Sequence, residues 1–146
     1  MIEKVFHFDV LLSIIIRATY HAKGIQFFTE DDFSQQLGYM NRPKGHLIEP
    51  HRHNLVAREV TLTQEVLMVK SGLVRVDFYT DEQEYIESRI LQTGDVILLA
   101  AGGHGFEMLE DSEMIEVKQG PYVGESDKVR FKSVAPDAIK LPGNGS

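Results

Sequence analysis

Two histidines separated by one residue, His51-Arg52-His53, are the strongest local chemical signal in this chain. On a β-strand, residues i and i+2 point to the same face. Two imidazoles then project side by side, which suits two ligands of one metal ion. Taken alone, the pair reads equally well as two half-exposed histidines on a polar face. Glu49 lies two residues before His51 and shares its predicted face. It is a candidate partner for the histidines or a contact for a substrate. Glu49 and Glu59 are the weak candidates for a general base. Arg58, Lys118 and Tyr122 could reach a substrate, although an exposed position is the commoner role for such residues. His46 falls on the opposite face, and His7 and His21 lie apart from these groups.

The elements that must position these residues read as strands almost throughout. Leu11–Tyr20 is apolar on both faces and rich in β-branched residues, so it should be covered on both sides. Lys23-Gly24 is a turn signal, and Ile25–Thr29 is a short strand. Thr29 can cap a brief turn or helix start. Asn41–Gly45 is a turn, and His46–His53 is a strand whose Pro50 places it at an edge or bulge. Glu65–Lys70, Leu73–Tyr79, Tyr85–Leu91, Val96–Leu99, His104–Leu109 and Glu113–Gln119 follow, separated by turns. Many short strands at regular spacing predict an all-β sandwich or barrel. By alternation, Leu67 and Val69 share a face with Glu65, and Val74, Val76 and Phe78 form an apolar face. His104, Phe106 and Met108 share another. Phe106 and Met108 are candidate substrate contacts, with plain core filling the commoner role. The tail 120–146 is loop-like, and its last residues are expected to be disordered.

Gly45, His51, His53, Glu65 and Gly72 form one spaced set, and Gly94 leads a second that ends at His104. On these residues the chain resembles the cupin superfamily over about residues 40–119. The resemblance implies a cupin double-stranded β-helix, a small jelly-roll barrel with little helix. It implies one domain over 1–146, with its core at about 36–119. It also implies one divalent metal held by His51, His53, Glu65 and His104. Three departures stand out. Eleven residues separate His53 from Glu65, where the family usually has three or four, so a longer hairpin over Asn54–Gln64 is expected. Glu59 is then a rival to Glu65, which is preferred for its distance to the Gly72 turn. Ala100 stands where proline is usual, with the approach to His104 one residue short, and Met108 replaces a frequent asparagine.

Three imidazoles and a carboxylate suit Mn, Fe, Co, Ni, Cu or Zn without choosing among them. The resemblance implies a metal-dependent enzyme acting on a small polar substrate, a carbohydrate or carboxylate, by oxygenase or isomerase chemistry. The alternative is a non-catalytic metal- or ligand-binding module.

Composition narrows the partners. A net charge of −7 over 146 residues, with basic residues scattered, argues against nucleic acid. The absence of cysteine excludes disulfides, thiolate ligands and a thiol nucleophile. The apolar run Val10–Ile16 is too short to span a bilayer, so no membrane role is expected and a cytoplasmic protein is the default. Its two apolar faces predict pairing across a homodimer of C2 symmetry.

Overall fold

The computed structural model describes residues 1–143. Among these the chain forms ten strands: β1 (Ile2–His7), β2 (Val10–Ile16), β3 (Gly24–Phe27), β4 (Gly38–Asn41), β5 (Glu65–Ser71), β6 (Leu73–Tyr79), β7 (Tyr85–Gln92), β8 (Val96–Leu99), β9 (Gly103–Met108) and β10 (Glu113–Lys118). A five-stranded sheet runs β1-β2-β8-β5-β10, a three-stranded sheet runs β7-β6-β9, and β3 and β4 form a separate ribbon. Every pairing is antiparallel. The fold is all-β. Among the described residues the sheets do not join by strand pairing into a closed barrel. Among the described residues, no helix is long and apolar enough to cross a membrane.

The alternation of β5 and β6 explains how the two large sheets meet. Leu67 and Val69 from β5 and Val74, Val76 and Phe78 from β6 are buried in one cluster, with Leu91, Ile97 and Leu99. Fully burying one such side chain contributes roughly 1.5–3 kcal/mol, so this shared core is what holds sheet against sheet. Gly72, at φ +95°, makes the tight β5–β6 connection, and Gly94, at φ +88°, makes the β7–β8 turn. Both positions fall in the region where a side chain is strained.

The doubly apolar character of β2 has an internal cause. Ile15 and Leu12 join the inter-sheet core. Ile14 and Ile16 face the other way, where Leu37, Tyr20, Phe28 and Phe33 cover them. β2 is an interior strand between β1 and β8, covered by its own chain on both sides, so its two apolar faces need no second copy to bury them.

A buried carboxylate ties the end of β2 to the β7–β8 turn. Asp95, 3% exposed, accepts hydrogen bonds from Ala18 N, Gln92 N and Arg17 Nη1, each at 2.8 Å. Arg17 also pairs with Glu3 at 2.7 Å.

The tail is irregular, as its proline and glycine content predicts, but it is docked. Val134 N donates to the Tyr79 hydroxyl at 3.0 Å and Lys140 N to the Tyr85 hydroxyl at 2.9 Å. Ser88 N donates to Lys140 O at 2.8 Å. This segment covers the outer face of β6 and β7, where Asp77 and Ser88 are buried. The expected disorder of the last residues falls on 144–146, outside the described residues.

One strand is new and two expectations are overturned. β1 is a strand that the apolar pattern does not reveal, because charged Glu3 and Lys4 interrupt it. The segment His46–His53 is not a strand, and Asn54–Gln64 is not a hairpin. Residues 42–63 carry no strand and all are exposed. A segment between turn signals does not by itself make a strand, because its backbone groups need a neighbour to pair with.

Candidate functional site

Glu65 and His104 come together. Glu65 opens β5 and His104 is the second residue of β9. The Nε2 of His104 lies 3.1 Å from Oε2 of Glu65, with the side chains 30% and 11% exposed. The two strands belong to different sheets, so the pair closes one end of the space between them.

Local structure fixes both residues. Gln64 is buried and accepts hydrogen bonds from Gln35 N and Ser34 Oγ, both at 3.1 Å. Its carbonyl accepts from Gln119 N at 3.0 Å. These contacts pin the start of β5 and with it the height of Glu65. His104 stands opposite Phe78 in the β6–β9 register, so it faces the interior, as do Phe106 and Met108. Phe106 packs against the core. Met108, at the far end of β9, is 46% exposed.

The surroundings of the pair are cationic. Lys118 stands directly opposite Glu65 in the β5–β10 register and shares its face. The hydrogen bond from His104 holds the Glu65 carboxyl below the usual carboxylate range, against the upward push of burial. The charges of His104, Lys118 and Lys128 act in the same direction as the hydrogen bond. Glu65 therefore stabilises the fold above its unfolded-state value, and that contribution is lost as pH falls through its lowered folded value. Glu65→Gln is expected to cost about 1.5–3 kcal/mol at neutral pH. The gap to wild type should shrink on acidification. Urea unfolding across the acid range checks this, and a constant gap would rule out the ion pair as its source.

The remaining candidates are elsewhere. His51 and His53 are exposed in the irregular 42–63 segment. Their rings do lie on one side of the chain, with centroids 5.3 Å apart. The Nδ1 of His51 is 3.0 Å from the carbonyl of Glu49. Arg58 donates only to Val56 O within the same segment, at 3.4 Å. Tyr122 is 84% exposed. Glu59 lines a separate cleft of 590 Å³ with Phe6, Val10, Leu11 and Phe33, which reaches neither Glu65 nor His104. That cleft mixes apolar walls with Lys4, Asp9, Glu30 and Asp32, and its lining includes Gln64 but not the ion pair itself.

The metal expectation can be tested against these positions. Ligand atoms about 2.1 Å from one ion stand about 3 Å apart when they are neighbours at right angles. The spacing of Glu65 and His104 fits that. His51 and His53 are not gathered with them. Among the described residues, no group of three or more His, Asp or Glu is placed to hold a metal. In this arrangement the four residues do not form a metal centre. Lys118, read from the sequence only as a residue that could reach a substrate, and Lys128, which the sequence reading missed, are the cationic neighbours of Glu65. The β5–β10 pairing would have flagged Lys118, whereas Lys128 sits in the irregular tail and leaves no local signal.

Compared with protein-family models, curated proteins and solved structures, the chain matches none of them.

Proposed function

We propose that this chain is a metal-binding cupin of the jelly-roll type that acts on a small polar substrate. Carboxylates are preferred over neutral sugars, and the reaction is of oxygenase or isomerase type. The single observation that supports it is the meeting of Glu65 and His104 at 3.1 Å. They belong to two separate spaced motifs, and nothing in their local sequence requires contact. Glu65 and His104 supply half of a ligand set, and His51 and His53 supply the other half once the 42–63 segment moves to them. Lys118 and Lys128 beside Glu65 favour an anionic substrate group.

A second reading has its own support. Glu49 and Glu59, the candidate bases, are exposed and belong to the 42–63 segment rather than to the Glu65–His104 end. That favours a binding or sensing module without turnover.

Elemental analysis of protein purified without chelator separates these readings from a metal-free barrel. The expected result is one divalent transition metal per chain, strongly reduced in His104→Ala and in His51→Ala. Wild type that carries no metal and binds none of Mn, Fe, Co, Ni, Cu or Zn by calorimetry would remove the reading. With metal bound, oxygen uptake and product analysis over a panel of keto acids and sugars decide between enzyme and module.

A further inference from the structure

We infer that residues 46–58 form an arm exchanged between two copies of this chain, laid along the free edge of β9 in the partner. There it would bring His51 and His53 of one copy to Glu65 and His104 of the other. The completed site rests on the metal reading above; the exchange itself does not.

Three observations carry it. The arm has no counterpart on its own body. Among the described residues, the hydrogen bonds of residues 42–62 stay within the segment. Leu47 is 76%, Leu55 104% and Val56 59% exposed, a solvation cost that covering them would remove. The second observation is an open edge. β9 pairs only with β6, so one row of its backbone N–H and C=O groups has no strand beside it among the described residues. Met108 faces the interior yet stays 46% exposed at that side. An added strand would satisfy the backbone row and cover this gap. In extended form, Leu47, Glu49, His51, His53 and Leu55 fall on one face.

The third observation is charge. Residues 46–58 carry Arg52 and Arg58 against Glu49, with Arg42 and Lys44 just before them, in a chain of net charge −7. The β9–β10 rim is acidic and exposed at Glu110, Asp111, Glu113 and Glu116. A basic arm and an acidic edge on one sequence suit reciprocal insertion, and C2 symmetry gives both insertions at once.

The absence of cysteine makes the test clean. Ile48→Cys and Glu107→Cys are prepared as separate chains, mixed through mild denaturation and refolding, and oxidised. A disulfide joining the two different chains, together with a dimer by light scattering, is the expected result. Replacing residues 46–58 by a short Gly-Ser linker should give a folded monomer. A wild-type monomer overturns the inference. So does an Ile48→Cys/Glu107→Cys double variant that closes its disulfide within one chain.

Metal then reports separately. His51→Ala/His53→Ala and Glu65→Gln/His104→Ala should each bind little metal. Random mixing makes half the dimers mixed, each with one complete site, so about a quarter of wild-type metal should return. A cross-linked dimer that binds no metal at all leaves the exchange standing and removes the metal reading. Metal-binding wild type with no recovery on mixing, and no cross-link, removes the exchange alone.

Discussion

Replacing Phe78 by alanine is expected to cost about 3–5 kcal/mol, the largest effect of any single substitution proposed for this chain. Phe78 is 1% exposed and lies in the inter-sheet core with Val76 and Leu99. Its neighbours belong to two sheets that share no strand pairing, so the void cannot collapse without moving one sheet against the other. The cost therefore sits near the upper end of the range for such truncations. Phe78→Leu, which keeps most of the volume, should cost about 1.5 kcal/mol or less. Urea denaturation measures both. Similar losses for the two variants would mean that the core does not pack around this ring. Phe78 also stands across from His104. The alanine variant should thus loosen the Glu65–His104 pair, visible as a changed His104 imidazole resonance.

Asp95→Ala is expected to be nearly as costly, about 3–5 kcal/mol. The carboxylate is buried and accepts three hydrogen bonds, two of them from backbone N–H groups. Removal takes an acceptor from Gln92 N and from Ala18 N, and takes from Arg17 one of its two carboxylate partners. Asp95→Asn tests the charge alone. It keeps an oxygen for one backbone donor but loses the ion pair, so it should fall between wild type and alanine. Thermal unfolding checks the order, with a drop of about 10 °C expected for alanine in a chain of this size. A neutral alanine variant would mean that water replaces all three bonds.

The strands that meet their expected bounds are those whose pattern matches their surroundings. Leu73–Tyr79 and Val96–Leu99 form strands over those same residues because inward and outward positions alternate, or because both faces are covered. β1 was illegible because Glu3 serves the Arg17 network rather than a solvent face, which breaks the alternation. His46–His53 reads as an edge or bulged strand around Pro50 and has no strand partner in its own chain among the described residues. Pattern reports which faces a segment could bury, not whether a neighbour exists.

The site divides along the same line. Glu65 and His104 were legible because each is spaced from a glycine that takes a positive-φ turn, Gly72 or Gly94, or lies on the strand that follows one. Lys118 required knowing that β10 pairs with β5. Lys128 required knowing where an irregular tail goes. Neither pairing over distance nor the path of a loop is written in a local window.

The position of β2 in the sheet has a kinetic meaning. Ile14 pairs with Leu98, so the second strand made is completed by one of the last. Loop closure over that separation must precede any reward from the contact, which makes folding slow. Until β8 arrives, the run Ile14-Ile15-Ile16 has β1 along one edge and residues 20–37 over one face, but lacks its second strand partner and the inter-sheet core that buries Ile15. During synthesis the newborn chain therefore carries a half-covered apolar segment whose second face and second edge are completed only by strands made much later. Chaperone demand and inclusion-body formation at high expression should trace to that waiting period rather than to the finished fold.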